Sequence, residues 1–356
     1  MTFKMIQGIS DIWKDYDGYF VDLWGVIHDG SVLYPGVLAC LQELQNLNKK
    51  VIFLSNAPRK SRFVSQRLEQ LGISPNLYQG IVTSGDAAFD ALKEQHLPNF
   101  GNKVFHVGPE KDRHMLEVEG LKEVEDFSKA DFLLVTDTYE WRETLENYRP
   151  LLEKSLEKKI PLVCVNPDLI VHIEDEKMIC GGTLADWYKD QGGHVVYHGK
   201  PHEDVYDRAL EMVKGIDARR IVCIGDSLRT DVSGALNKDL SVVLISGGIH
   251  RDEFVADASD RLDLRTTSLE LVAYPRHVDI DGSAVPEVLV APDPAEELLA
   301  AQDAPVFLRK RKQEVKLLGA HLHWLAGNCH FASSGVDGHV ADIDGRVDFD
   351  PACCAS

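Results

Sequence analysis

Short apolar runs that end in polar residues set the pattern of this chain. Tyr19-Phe20-Val21 runs into Asp22, with Gly25 close behind; Val51-Ile52-Phe53-Leu54 runs into Ser55-Asn56; Ile221-Val222-Cys223-Ile224 runs into Gly225-Asp226. Short runs rich in β-branched and aromatic residues, bounded by turn formers, predict strands of a parallel sheet buried on both faces. Between them the period changes to that of a helix. After Pro35, Val37, Leu38, Leu41, Leu44 and Leu47 share one face, and after Pro58, Phe63, Val64, Leu68 and Leu71 do the same. Residues 1–18 read as a lead-in whose Ile9, Ile12 and Trp13 pack as a short amphipathic helix. A βαβα opening favours a parallel sheet, and ligands of such sheets sit beyond the carboxyl ends of the strands. That edge gathers Asp22, Ser55, Asn56 and Asp226. Carboxylates, a hydroxyl and an amide placed together suggest a metal-assisted phosphate site.

The grain changes near Thr83-Ser84-Gly85-Asp86, which can cap a new helix. Strand-like runs then recur at Val104-Phe105-His106-Val107, Phe132-Leu133-Leu134-Val135 and Pro161-Leu162-Val163-Cys164-Val165. We read these as a second α/β module, inserted at residues 83–197. The first module resumes at His198-Gly199-Lys200-Pro201 and runs through the Asp226 strand, a helix begun by Thr230-Asp231, and a last strand Val242-Val243-Leu244-Ile245. The expected organisation is therefore a doubly wound parallel α/β core at 1–82 and 198–275, an α/β domain inserted at 83–197, and a tail of unassigned role at 276–356. In the tail, Phe307 to Leu318 reads as helical, and the Asp-Ile-Asp-Gly pieces at Asp279 and Asp342 read as turns, since no strong apolar run precedes them.

Charge narrows the partners. A net charge of −19 over 356 residues excludes a nucleic-acid-binding surface, which needs clustered Lys and Arg. A small anionic substrate fits such acidity only where a cation and a lysine supply local positive charge. No apolar stretch is long enough for a membrane span and the first residues lack a secretory core, so no membrane partner is expected. Seven scattered cysteines without a CxxC pair indicate neither a zinc site nor a disulfide framework; Cys40, Cys164 and Cys223 read as buried thiols in a reducing cytoplasm. The closing Cys353-Cys354-Ala355-Ser356 fits a lipidation pattern only loosely. Self-association into a homo-oligomer stays open.

In order, Asp22-Leu23-Trp24-Gly25-Val26, Leu54-Ser55-Asn56, Gly199-Lys200-Pro201 and Gly225-Asp226-Ser227-Leu228-Arg229-Thr230-Asp231 form a set, with Asn166-Pro167-Asp168 and Cys180-Gly181-Gly182 in the insertion. This set resembles the haloacid-dehalogenase-like (HAD) phosphatases of subclass IIA, the nucleotide monophosphatase and p-nitrophenyl-phosphatase-like group, over roughly residues 15–255. The resemblance implies a Rossmann-like core with an inserted cap, and an Mg²⁺-dependent phosphatase acting on small phosphorylated metabolites. Asp22 would be the nucleophile, giving an aspartyl-phosphate. Mg²⁺ would be held by Asp22, the backbone carbonyl of Trp24 and Asp226, with Asp231 orienting its hydration shell. Ser55 and Asn56 would donate hydrogen bonds to the phosphoryl oxygens and Lys200 would neutralise charge between Asp22 and the phosphate. Asn166, Asp168 and the Gly181-Gly182 turn would face the substrate from the cap, whereas Trp187 and Tyr188 fit its core better than a stacking wall.

The chain departs from the family at Trp24, where most members carry a second aspartate that protonates the leaving oxygen and then deprotonates water. An indole N–H cannot shuttle protons, and general acid–base help is worth ~10²–10⁴-fold. Slow hydrolysis, a substitute such as His28 or Asp29, or a catalytically silent phosphate-binding or regulatory protein of the same fold are the expectations that follow. A metal-free dehalogenase fits less well, since a halide reaction needs no acidic pair such as Asp226 and Asp231, and a receiver domain would lack the cap.

Overall fold

The computed structural model describes residues 6, 8–94, 100–173 and 176–250, and the backbone of the strands Phe3–Met5, Phe254–Ala256, Leu262–Leu264 and Val288–Ala291. Its larger sheet has seven strands in the order Phe3–Met5, Val288–Ala291, Ser241–Ile245, Ile221–Gly225, Gly18–Val21, Lys50–Ser55 and Gly80–Thr83, all paired in parallel. Each central run is apolar on both faces, so both must be covered. Tyr19, Val21, Val51 and Phe53 pack on one side with Leu41, Leu44 and Leu68. Phe20, Ile52 and Leu54 pack on the other with Val205, Tyr206 and Ala209. Phe53 is fully buried and its ring meets Tyr78 at 5.0 Å.

The chain order across this sheet reverses between Gly18–Val21 and Ile221–Gly225, which pair with Val21 opposite Ile224. A doubly wound sheet opens a crevice at such a reversal, beyond the carboxyl ends of its strands. Asp22 and Asp226 are the residues that follow these two strands.

After Thr83 the chain leaves this sheet. The Thr83 side chain accepts the Asp86 N–H and caps the helix Ser84–Lys93, as the sequence predicts. A second, five-stranded parallel sheet follows, ordered Val195–Tyr197, Leu162–Cys164, Phe132–Val135, Lys103–Val107 and Lys122–Glu123. Leu133 and Val135 face one cluster with Leu152, Leu184 and Tyr188, and Phe132 and Leu134 face another with Met115. Tyr188 is fully buried and Trp187 packs against the same cluster, so both are core residues. An antiparallel hairpin, Ile170–Ile173 with Glu176–Ile179, follows the Leu162–Cys164 strand.

Four local readings change. The lead-in is a strand, Phe3–Met5, and a single 3-10 turn, Ile9–Asp11; three scattered apolar residues cannot sustain a helix, yet Ile9 and Ile12 are buried as expected. Leu38 is 37% exposed although its spacing puts it with the apolar face. The turn after Asp226 is a π-helical turn, Leu228–Val232, before the short helix Ser233–Asn237. Beyond residue 275, Val288–Ala291 pairs between Phe3–Met5 and Ser241–Ile245, a strand that the sequence reading left unmarked inside the tail. The predicted Phe307–Leu318 helix, the Asp-Ile-Asp-Gly turns and the C-terminal cysteines lie outside the described residues.

Phe53→Ala should lower the folding free energy by about 3–5 kcal/mol, since the pocket it fills is closed on every side. The midpoint of urea unfolding measures this, with an unchanged slope expected.

Candidate active site

The parallel pairing delivers Asp22 to the crevice with its N–H on the Ile224 carbonyl, 2.8 Å away. One carboxylate oxygen, Oδ1, accepts the Leu23 N–H and the Lys200 ammonium, both at 2.7 Å. Lys200 Nζ also reaches Asp231 Oδ1 at 2.8 Å. Asp226 accepts the Ile249 N–H at 2.9 Å. Asp231 accepts the Ser227 N–H at 3.2 Å, which the tight turn after Asp226 makes available. Oxygens of Asp22, Asp226 and Asp231 lie within 4.8 Å of one another.

Glycines allow this crowding. Gly25 adopts φ +82°, and a Cβ there would come within 2.0 Å of an Asp226 oxygen. The chain therefore passes directly against that carboxylate just after Trp24. Gly199, at φ +112°, has no room for a Cβ between Asn56 and Ser84.

Burial pushes the Asp22 carboxyl up to about 7, with Lys200 pulling it down and Asp231 and Asp168 pushing it up. Burial holds Asp226 well above the usual carboxylate range, and Asp22 and Asp231 add to the effect. Burial alone would lower the Lys200 pKa, but Asp22, Asp231 and Asp168 outweigh it and raise it. One ammonium thus faces more negative charge than it can offset. An all-oxygen donor set carrying that excess fits a hard divalent cation.

The remaining predicted residues divide. Ser55 Oγ accepts the Ala57 N–H at 3.2 Å, leaving its hydroxyl proton to donate. The Asn56 side chain is committed: Oδ1 accepts the Lys200 N–H at 2.7 Å, and Nδ2 donates to Asp168 Oδ1 at 2.8 Å and to the Lys200 carbonyl at 3.1 Å. It braces the lysine and ties Asp168 to the larger sheet. Asn166 is buried; its Nδ2 donates to Asp137 and its Oδ1 accepts the Asp168 N–H. It thus positions Asp168. Gly182 lets the helix Gly181–Asp190 approach the same segment, since a Cβ there would lie 2.2 Å from the Pro167 carbonyl oxygen.

Trp24 donates its indole N–H to the His172 carbonyl at 3.0 Å, joining the strand-end turn to the Ile170–Ile173 strand of the hairpin. Its ring lies over Gly30, where a Cβ would come within 2.4 Å of it, and meets His28 edge-on at 5.7 Å. His28 Nδ1 accepts the Gly30 N–H, and burial, helped by Arg67, lowers its pKa to about 4. Asp29 is a turn residue: partial burial raises its pKa, but the Val32 and Ser31 N–H groups outweigh that and hold it low. Sequence reasoning missed Arg229, which spans the two sheets' segments through the Pro167 carbonyl at 2.6 Å and Asp186 at 2.8 Å. Its place inside the Asp226–Asp231 motif was the available signal.

Comparison with known proteins agrees with this geometry. Residues 19–122 match the haloacid dehalogenase-like hydrolase family and residues 197–270 a HAD-hydrolase-like family. A haloacid dehalogenase-like hydrolase from Brucella suis 1330 is 33% identical, with a TM-score of 0.65 and coverage of 72% of this chain and 94% of that one. This chain belongs to the haloacid dehalogenase-like hydrolases. A p-nitrophenyl phosphatase from Archaeoglobus fulgidus is 28% identical at a TM-score of 0.53, covering 66% of this chain and 88% of that one. The ribonucleotide monophosphatase NagD of Escherichia coli K12 is 25% identical over 267 residues, 73% of this chain and 96% of its own length. These relatives place this HAD hydrolase in subclass IIA.

In the metal-free HAD fold a raised Asp22 pKa means the folded state holds a proton that the unfolded state releases, so stability falls as pH rises from about 4 toward 7. Asp22→Asn should therefore stabilise the metal-free protein by about 1–3 kcal/mol at pH 8 and by much less at pH 4. Melting curves in EDTA at the two pH values read the difference. Trp24→Phe keeps the ring and removes the N–H; amide exchange across 170–173 should quicken while global stability changes by only about 1 kcal/mol. Exchange mass spectrometry on both proteins checks this.

Proposed function

We propose that this protein is an Mg²⁺-dependent phosphatase of small phosphorylated metabolites that works through an aspartyl-phosphate on Asp22. The observation that carries the reading is the cluster of three carboxylates around one buried lysine at the sheet reversal. Phosphatases among the relatives support it, including NagD and the p-nitrophenyl phosphatase. In this reading residues 83–197 form a cap over a core of 1–82 and 198–275, to which the strand Val288–Ala291 also contributes. The protein would work in the cytoplasm, where buried thiols such as Cys164, Cys180 and Cys223 stay reduced.

Asp22, Asp226 and the Trp24 carbonyl would hold Mg²⁺, with Asp231 ordering its waters; the ion would neutralise phosphoryl charge. Lys200 and the Leu23 N–H fix Asp22 Oδ1 and thereby aim the side chain. The other oxygen, Oδ2, is then left to attack phosphorus. The Ser55 hydroxyl and the Lys200 ammonium would stabilise the charge that develops on the transferring oxygens. The cap would close over the leaving group and keep water out during the first step.

Trp24 favours a second reading, a phosphate-binding protein that does not turn its ligand over, because an indole donating to His172 has no proton to give. One experiment separates the two. A panel of sugar phosphates, nucleotides and p-nitrophenyl phosphate should yield Mg²⁺-dependent phosphate release that Asp22→Asn lowers by at least about 10³-fold. Beryllium fluoride protection against heat without any phosphate release would select the silent protein instead.

A further inference from the structure

We propose that Asp168 is the general acid and base of this enzyme, supplied by the inserted domain in place of the position that Trp24 occupies. The proposal rests on the phosphatase reading above. Asp168 follows the Leu162–Cys164 strand at the carboxyl edge of the smaller sheet and is only partly buried. Its Oδ1 meets Asn56 Nδ2 at 2.8 Å, and Asn56 Oδ1 holds the Lys200 N–H at 2.7 Å. Lys200 Nζ in turn lies 2.7 Å from Asp22. A carboxyl from the smaller sheet is therefore one side chain removed from the lysine that aims the nucleophile. Its Oδ2 has no hydrogen-bond partner among the described residues.

The segment around Asp168 is fixed well enough to aim that oxygen. Asn166 Oδ1 holds the Asp168 N–H at 3.2 Å, and the Asp168 carbonyl accepts the Gly182 N–H at 3.1 Å. Arg229 grips the preceding Pro167 carbonyl, and Trp24 pins the hairpin that follows through His172. Contacts from both sheets' segments thus converge on one short loop, the kind of support a catalytic group needs. Burial raises the Asp168 pKa above the ordinary range, although Lys200 and the Asn56 hydrogen bond pull against it. A shift in that direction favours the protonated form that a general acid needs. The sequence-nearest substitutes are otherwise engaged: His28 Nδ1 is taken by Gly30 and Asp29 closes a turn.

The steps balance. As an Asp22 oxygen bonds to phosphorus and the ester P–O bond breaks, the Asp168 proton passes to the leaving oxygen and the alcohol departs. Asp168, now a carboxylate, takes a proton from water as the water oxygen bonds to phosphorus. The P–O bond to Asp22 breaks, its electron pair returns to the carboxylate, and inorganic phosphate leaves with Asp168 reprotonated.

The test is Asp168→Asn, which keeps an acceptor for Asn56, assayed on an alkyl phosphate and on p-nitrophenyl phosphate. An alkoxide needs a proton to leave and a nitrophenolate does not. Turnover of the alkyl ester should fall by ~10²–10⁴-fold. With p-nitrophenyl phosphate the variant should instead release a rapid burst of about one nitrophenolate per site, then turn over slowly, and acid quench should trap phosphate on Asp22. Equal losses on both esters without a burst would overturn the proposal and leave Asp168 as a tether. So would unchanged rates on both. Should the wild-type protein release no phosphate from either ester with Mg²⁺, the phosphatase reading itself fails and takes this one with it.

Discussion

A lysine ammonium buried to 2% exposure is the constraint on which the site depends. Removing a charge from water is worth several kcal/mol against folding unless partners surround it. Here Asp22 and Asp231 stand at 2.7 and 2.8 Å, and the backbone on either side of Lys200 is held by Asn56. These partners come from three different parts of the chain. The lysine therefore fixes Asp22, the loop after the Ile221–Gly225 strand and the loop after Lys50–Ser55 relative to one another. Burial makes Asp22 and Asp226 resist ionisation, and the excess of carboxylates over cations adds to it. The same crowding of carboxylates that penalises the metal-free state would favour a divalent cation, so stability and affinity for such an ion would oppose each other at one spot.

Polar ties between the segments of the two sheets extend the arrangement. Asn56 to Asp168, Trp24 to His172, Arg229 to Pro167 and Asp186, and Arg59 to Asp112 all cross from one to the other. Most of these end on a charged group, where a hydrogen bond is worth about 1.5–3 kcal/mol at most. Trp24 is instructive. The position supplies a donor that reaches the hairpin, with its ring seated where Gly30 leaves space.

Much of this was legible in the sequence because it is local. Apolar runs ending in Asp22, Asn56 and Asp226 follow from strand periodicity, and the Thr83 cap follows from side-chain chemistry. What depends on the third dimension was not. The side-chain bracing by Asn56 and Asn166 could not be read from sequence, since only the fold shows which partners are near. Val288–Ala291 completes the sheet between two strands far from it in sequence, and a run of four apolar residues in an acidic stretch gives no sign of that pairing. Leu38 carries the helical spacing yet faces solvent, since periodicity marks a stripe and not its edge.

An acid carried by the inserted domain has a consequence that a core-borne acid lacks. With the acid two residues after the nucleophile, all reacting groups share one strand end and stay together whatever the other domain does. With Asp168 as the acid, the groups assemble only when the Asn56–Asp168 contact is made. The observed rate then scales with the fraction of molecules in that state. A leaving group too large to fit beneath the loop would hold Asp168 away and stop its own protonation, so exclusion by size and loss of catalysis become one event. Closure by a handful of polar ties of no more than about 3 kcal/mol each would keep that fraction adjustable and still let product escape. Selectivity in such an enzyme resides in the closing equilibrium as much as in the pocket walls.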